Sequence, residues 1–382
     1  MGEKQGMKGY KLAIGLAIGA ALLLPSAAGA AAAKPSYELE WEGGGQSSGT
    51  VIARGGVSYI ATKAIASEAG LAISWDVSKQ RAQFDGWNKS FAVRVNSDRG
   101  VLDGKNTEIG GKPFVLNGEL YLPVRFIVKA LDGDNVKWNA RTQTVTASGL
   151  GGYHARSETH NGLTFTVVTA TGELYVTGES GESRKLADLG DTIYGAVKFA
   201  FYDSPGGLLH LTVTRNYGEP MIQYRVYTAV LKNGELIREA EAGYFRRFVD
   251  NATNGGGQLI VTDGRTLELV DDVTGRVAES YDLVKLGGEE DDYFVEGVGP
   301  EYLLIRPNDR GLLMLIDRKT GGKTLLYKEL LDKLNQEYAE TNDVPYFGDW
   351  LRFVRRDGDT LYFRNDAPIQ QDNKLYAYKL PE

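Results

Sequence analysis

Residues Asn117 to Trp138 read NGELYLPVRFIVKALDGDNVKW. Asn117-Gly118 predicts a tight two-residue hairpin turn, because both residues tolerate positive φ. Leu120, Tyr121 and Leu122 follow as a short buried strand. Pro123 has no N–H to lose and a φ suited to the first turn of a helix. Val124, Ile127, Val128 and Leu131 recur at i, i+3, i+4 and i+7, one apolar helical face whose burial contributes roughly 1.5–3 kcal/mol per side chain. Gly133 is placed to end that helix, and Val136-Lys137-Trp138 to open the next strand.

The same strand–helix–strand pattern occurs earlier. Gly55 to Phe84 reads GGVSYIATKAIASEAGLAISWDVSKQRAQF. Tyr59, Ile60, Ala61 and Lys63 stand where Tyr121, Leu122, Pro123 and Arg125 stand in the later copy. Ile65, Ala66 and Ala69 stand for Ile127, Val128 and Leu131, and Trp75 for Trp138. The offset is 62 residues up to the helix end and 63 beyond it, so one residue is inserted near Asp132–Asn135. Their equivalent positions assign Trp75 and Trp138 to the cores of the two copies. Between the copies, Phe91–Val95 alternates as a strand, and Asp103-Gly104 and Gly110-Gly111 read as hairpin turns.

Leu116-Asn117-Gly118, Tyr121-Leu122-Pro123-Val124-Arg125-Phe126-Ile127, Ala130-Leu131, Val136-Lys137-Trp138 and Thr142-Gln143-Thr144-Val145 together resemble the signature of the copper amine oxidase N-terminal domain, or stalk domain. The resemblance covers residues 51–148, with a degenerate first half that departs at Ala61 and Lys63. It implies an α+β accessory domain on exported proteins of spore-forming, Gram-positive bacteria, without copper chemistry of its own. Copper amine oxidase catalysis needs a quinone-forming tyrosine in Thr-x-x-Asn-Tyr-Asp/Glu and three histidine ligands, two of them in a downstream His-x-His. The nearest stretch is Val213-Thr-Arg-Asn216-Tyr217-Gly218, and the three histidines, His154, His160 and His210, all precede it. That activity is not expected, and Tyr217 reads as a turn or core tyrosine.

Ahead of the repeat, residues 1–33 read as a signal peptide. Lys4, Lys8 and Lys11 are followed by 13 apolar or glycine residues from Leu12 to Leu24 and by the small-residue stretch Ala28-Gly-Ala30. As a helix the apolar run would reach about 20 Å, short of the ~30 Å hydrocarbon core of a bilayer. The expectation is export, with cleavage between Ala30 and Ala33 and no membrane span afterwards. Residues 34–50 form a lead-in in which Tyr37, Leu39 and Trp41 alternate with polar residues as an edge strand. The chain has no cysteine, which excludes disulfides, thiolate nucleophiles and cysteine-bound metals. Its net charge of −7 argues against nucleic acid, whose phosphates require clustered cations.

After a Gly-rich linker at 149–160, residues 161–382 change character. Short strands recur every eight to twelve residues between turn signals. The phrases Leu267–Gly275 and Leu313–Gly321 both run strand, aspartate, Thr-Gly turn, and lie about one 45-residue blade apart. This part resembles the loose propeller repeats of bacterial surface proteins, so an all-β, β-propeller-like domain is expected. Lys328–Tyr338 is its one clear helix, inserted between blades.

No catalytic, cofactor-binding or metal-ligating residue is assigned. His154 and His160 read as exposed loop histidines, and His210 as a strand residue facing away from the core. Glu289-Glu290-Asp291-Asp292 reads as a solvated loop, and Arg246-Arg247 and Arg355-Arg356 as strand ends or surface ion pairs. Trp87 and Trp350 are the candidates for an exposed ligand surface. These readings point to an exported, non-catalytic envelope protein that binds or scaffolds, its partner cell-wall glycan or another envelope protein. The alternatives are a carbohydrate-active or other hydrolase with carboxylates in the β domain, and a structural spacer. A hydrolase requires carboxylates converging in a pocket, a binder exposed aromatics on one face, and a spacer neither.

Overall fold

In a computed structural model, residues 34–190, 192–193, 195–342, 347–367 and 374–381 are described. The leader expected over 1–33 lies outside the described residues. The fold is mostly β, built of many small sheets.

The lead-in is part of the first sheet. Tyr37 and Leu39 point inward from β1 (Ser36–Trp41), which pairs with β2 (Gln46–Thr50) across the Gly43–Gly45 turn. The first copy of the repeat forms β3 (Ile52–Arg54), β4 (Val57–Ala61), α1 (Thr62–Glu68), β5 (Ala72–Asp76) and β6 (Arg81–Gly86). β7 (Lys89–Arg94), β8 (Arg99–Leu102) and β9 (Lys105–Glu108) extend β5 and β6 into a five-stranded meander. The second copy forms β10 (Phe114–Leu116), β11 (Glu119–Pro123), α2 (Val124–Ala130), β12 (Asp134–Asn139) and β13 (Thr144–Leu150). Asn117 and Gly118 take φ of 52° and 78°, closing the β10–β11 hairpin as expected. β1 inserts beside β13 in the order β12-β13-β1-β2, so it is an interior strand rather than an edge.

The two copies pair with each other. β4 and β11 run antiparallel with Ile60 opposite Leu122, Ala61 opposite Tyr121 and Tyr59 opposite Pro123, a local two-fold through equivalent residues. Val124, Ile127, Val128 and Leu131 are all buried in one cluster with Ile60, Ile65, Ala66 and Leu122. Three expectations need correction here. Asp132, at φ 57°, is the left-handed residue that ends α2, as Gly70 (φ 71°) ends α1. Gly133 sits instead where space is tight, since a Cβ there would lie 3.0 Å from Val128 Cγ1 and the neighbouring side chains would have to give way. Gly110-Gly111 joins β9 to β10 in a different sheet and makes no hairpin. Third, Trp75 and Trp138 are not core residues: they are 41% and 49% exposed, because β5 and β12 are edge strands.

Five small antiparallel sheets follow in series. β14 (Ala155–His160), β15 (Leu163–Val168), β16 (Glu173–Thr177) and β17 (Ser183–Asp188) form the first. β18 (Val197–Asp203), β19 (Leu209–Tyr217), β20 (Gln223–Lys232) and β21 (Glu235–Phe245) form the second. β22 (Asn254–Gly255), β23 (Gln258–Thr262), β24 (Thr266–Asp271) and β25 (Val277–Asp282) form the third, followed by α3 (Leu283–Gly287). β26 (Tyr293–Val298), β27 (Tyr302–Pro307), β28 (Met314–Asp317) and β29 (Lys323–Leu325) form the fourth. The helix expected at Lys328–Tyr338 is two helices, α4 (Leu326–Leu330) and α5 (Lys333–Thr341), because Leu331 is extended and Asp332 caps α5 by accepting from Asn335 N. β30 (Leu351–Asp357), β31 (Thr360–Asn365) and β32 (Leu375–Lys379) form the fifth sheet.

The Thr-Gly phrase is the hairpin between the third and fourth strands of two successive sheets. Asp271 Oδ1 accepts from Thr274 N and Oγ1, and Asp317 Oδ1 from Lys319 N and Thr320 N, while Gly275 and Gly321 both take φ 71°. Successive sheets pack face to face through apolar clusters, giving a propeller-like series. The series is irregular. β22 has two residues, and the long β21 reaches past it so that Tyr244 stacks on Phe294 of the fourth sheet at 3.9 Å.

The stretch expected to be a linker is mostly strand: Gly149 and Leu150 finish β13, and Ala155–His160 are β14. The four residues between them are held at both repeats, with Gly151 N donating to Leu131 O and Tyr153 N to Ala69 O at 2.8 Å each. His154 Nε2 donates to Glu68 O, and His160 Nε2 lies 2.8 Å from Asp203 Oδ2. The buried Lys89 reaches Asp103 and Asp132, and Tyr153 Oη donates to Asp132.

His210 corrects another expectation. It is buried between the second and third sheets, and its Nε2 lies 2.9 Å from Ile260 O. A carbonyl only accepts, so Nε2 carries the proton, while Nδ1 is bare and without a hydrogen-bond partner. Burial pushes this imidazole below its ordinary value. The unfolded chain therefore takes up a proton below pH ~6.5 that the folded chain resists, and stability falls as pH drops below that value. In urea titrations the unfolding free energy declines by up to ~1.4 kcal/mol per pH unit through this one group, and His210→Gln, which keeps an N–H for Ile260, flattens the slope.

The fourth and fifth sheets meet at a buried ion pair. Arg306 Nη1 donates to Asp349 Oδ1 at 2.7 Å and its Nε to Glu296, with Arg306 and Asp349 both fully buried. Asp349→Ala leaves that guanidinium without one of its buried counter-charges and lowers the unfolding free energy by about 3–5 kcal/mol, measured by urea denaturation. The double change Arg306→Met with Asp349→Leu recovers part of the loss.

Candidate functional site

Antiparallel pairing brings the start of each sheet's first strand beside the end of its second, the start of its third and the end of its fourth. In the second sheet this end carries Tyr217, Gln223, Arg225 and Phe245, and in the fourth Tyr293 and Pro307. Three cavities open along these ends. The middle one, ≈ 680 Å³, lies between the second and fourth sheets. A second of ≈ 360 Å³ toward the first sheet shares Tyr217 and Arg225 with it. A third of ≈ 540 Å³ toward the fifth sheet shares Arg246, Asp309 and Phe347. Shared walls make the three one trough. Backbone approach narrows its first part, where a Cβ on Gly195 would lie 1.6 Å from Asn216 O.

In the middle cavity Phe245 is 46% exposed, and the Arg246 guanidinium lies 5.0 Å from its ring centroid. Arg246 has φ 65°, a left-handed conformation that costs a residue with a Cβ about 1–2 kcal/mol. Its neighbour Arg247 is buried, donating to Phe347 O and Asp349 O at 2.7 Å each, so this basic pair is not a surface ion pair. Arg225 is held by Glu241 and Tyr217. Asn308 joins the walls: its Oδ1 accepts from Phe245 N at 2.8 Å and its Nδ2 donates to Arg247 O.

The acidic wall is Glu290, Asp291, Asp292 and Asp309. Asp291 and Asp292 are half-buried, which corrects the reading of a solvated loop, and burial pushes both carboxyls above the ordinary range. Asp291 spends one oxygen on Asp292 N at 2.8 Å and the other on Asp309 N at 2.7 Å. It shapes a turn. Among the described residues no group of three or more histidine, aspartate or glutamate side chains is arranged to hold a metal ion, and no helix is long and apolar enough to cross a membrane.

The two tryptophans proposed from sequence do not come together. Trp87 packs on Tyr175 of β16 at 5.2 Å, and its N donates to Tyr153 O, which ties the repeat unit to the first sheet. Trp350 lies under Arg247, 5.0 Å from its guanidinium. Sequence reasoning does not reach Phe245, and it meets Arg246 only as half of a basic pair. The signal was present in Tyr244-Phe-Arg-Arg247, where aromatic and basic residues end a strand together.

No curated protein matches the chain. Among solved structures it is similar to virginiamycin B lyase from Staphylococcus aureus, at 10% identity over 85% of this chain and 88% of that one, with a TM-score of 0.24. It is also similar to apo AztD from Citrobacter koseri, at 11% identity over 81% of this chain and 86% of the other, with a TM-score of 0.26. Dihydro-heme d1 dehydrogenase NirN shows 10% identity over 66% of this chain and a TM-score of 0.26, and the chain spans 56% of its length. Likenesses this distant say nothing of what the chain binds. Residues 47–150, which hold the paired repeat, match the model of the copper amine oxidase N-terminal domain.

Proposed function

We propose that this is an exported, non-catalytic protein of the cell envelope. Residues 34–148 would act as a stalk-like α+β unit, and the five-sheet region beyond the 149–160 connection would bind a linear glycan along the trough. The observation that carries this reading is the run of three cavities sharing walls, since a continuous trough suits a polymer better than a single small molecule. The exposed Phe245 ring offers a stacking face, and Arg225, Arg246, Asn308 and the acidic wall offer hydrogen bonds around it. The leader-like first 33 residues support export.

The test is co-sedimentation of the chain with purified, insoluble cell-wall glycan. The chain is expected in the pellet, and Phe245→Ala to weaken its retention about tenfold, or ~1.4 kcal/mol. Absence from the pellet, or retention unchanged by Phe245→Ala, overturns the reading. Release of reducing ends from the glycan establishes the hydrolase alternative instead. Arg246→Gly removes the left-handed strain at the cost of a freer unfolded chain, so it raises the unfolding free energy by about 0.5–1 kcal/mol while weakening retention.

A further inference from the structure

The exposed Trp138 lies on a second, separate groove. Together with Arg125, Lys137, Gly56, Ser58 and Gly110 it borders a space of ≈ 460 Å³ in the repeat unit. Trp138 and Lys137 come from the edge strand β12, whose register shifts between Asp134 and Lys137. Arg125 stands between the buried Val124 and Phe126 of α2 and faces outward.

Three features of this groove point to one kind of ligand. Among the described residues neither Arg125 nor Lys137 forms an ion pair, and the Trp138 indole N–H has no hydrogen-bond partner. The charged lining is wholly cationic in a chain of net charge −7. The groove is bordered by glycines and a serine, which leave room beside the indole face.

We propose that this groove binds a saccharide unit bearing a carboxylate. The sugar's C–H face would lie on the Trp138 ring and its carboxylate would be taken by Arg125 through paired N–H groups, while Lys137, whose side chain alternates to the other face of β12, would add a longer-range attraction. The first copy of the repeat has Trp75, Lys63 and Ser74 at the equivalent places, so only the second copy has cations at both of the positions that border the groove. This site does not depend on the trough reading.

The experiment uses the full chain with ¹⁵N-labelled tryptophan, whose five indole signals report each ring separately. The Trp138 signal is identified by its loss in Trp138→Phe, and the four remaining signals show whether that variant keeps its fold. The probes are a tetrasaccharide of alternating glucuronic acid and N-acetylglucosamine, and neutral tetra-N-acetylchitotetraose. The acidic tetrasaccharide is expected to move the Trp138 signal with a Kd of about 1 mM or tighter, and the neutral one to bind about tenfold more weakly. Arg125→Gln weakens the acidic probe about tenfold and Lys137→Gln by less, added salt weakens it further, and Phe245→Ala leaves it unchanged. The proposal is overturned if the signal does not move by about 5 mM acidic probe, if the two probes bind equally, or if Arg125→Gln with Lys137→Gln binds as the parent does.

Discussion

The Arg306–Asp349 pair fixes the walls of the trough where the fourth sheet, the entry to the fifth and the Arg247 segment meet. Arg306 also donates to Gly311 O and Leu351 O, and Asp349 accepts from Leu313 N and Leu351 N. Burial disfavours the Arg306 charge, but Asp349 and Glu296 outweigh it and hold the guanidinium protonated. Arg247 adds a second cation to the same node, where burial and the neighbouring Arg306 pull its pKa down. Charges this deeply desolvated tolerate little displacement, because each hydrogen bond lost leaves a group with no water to replace it. The node therefore fixes geometry more than it adds net stability. It joins the fourth sheet, the entry to the fifth, and the chain leaving β21.

That geometry explains the exposed residues beside it. Arg247 must point inward to reach Phe347 O and Asp349 O, and Asn308 holds the Phe245 N–H two residues earlier. Between these two anchors the chain turns through Arg246 at φ 65°, which leaves Phe245 and Arg246 outside. The outward ring and guanidinium are thus the consequence of two inward ones. Loops carried by such an anchored scaffold are where binding surfaces are placed without loss of the core.

Much of this fold was legible in the chain. The Asn117-Gly118 turn, the Val124–Leu131 stripe and the Asp-x-x-Thr-Gly hairpins each follow from local chemistry, and local chemistry is what sequence spacing reports. Three of the misreadings share a cause. Spacing says that Trp75, Trp138 and His210 lie on strands, but not whether another layer covers that face. Trp75 and Trp138 fall on edge strands and are left open, whereas His210 falls where the third sheet closes over it. The site residues were hidden for the same reason. The trough is assembled from ends of sheets some 50 to 100 residues apart, such as Phe245 with Asn308 and Arg247 with Phe347.

The connection between the repeat unit and the first sheet shows how composition misleads about motion. Ordering a backbone residue costs roughly 1–2 kcal/mol, and a glycine-rich stretch is usually read as one where that cost is never met. Here the glycines mark close approach. A Cβ on Gly151 would lie 2.7 Å from Tyr153 Oη, and one on Gly70 would lie 2.6 Å from His154 N. Only glycine lets the chain come near enough for Gly151 N and Tyr153 N to reach the carbonyls that end the two equivalent helices, Leu131 O and Ala69 O. Lys89, with Asp132 and Tyr153 around it, seals that contact from the other side. The two-fold repeat thus carries paired acceptors that the connection occupies together, so the unit bearing the Trp138 groove is seated on the first sheet by its own symmetry.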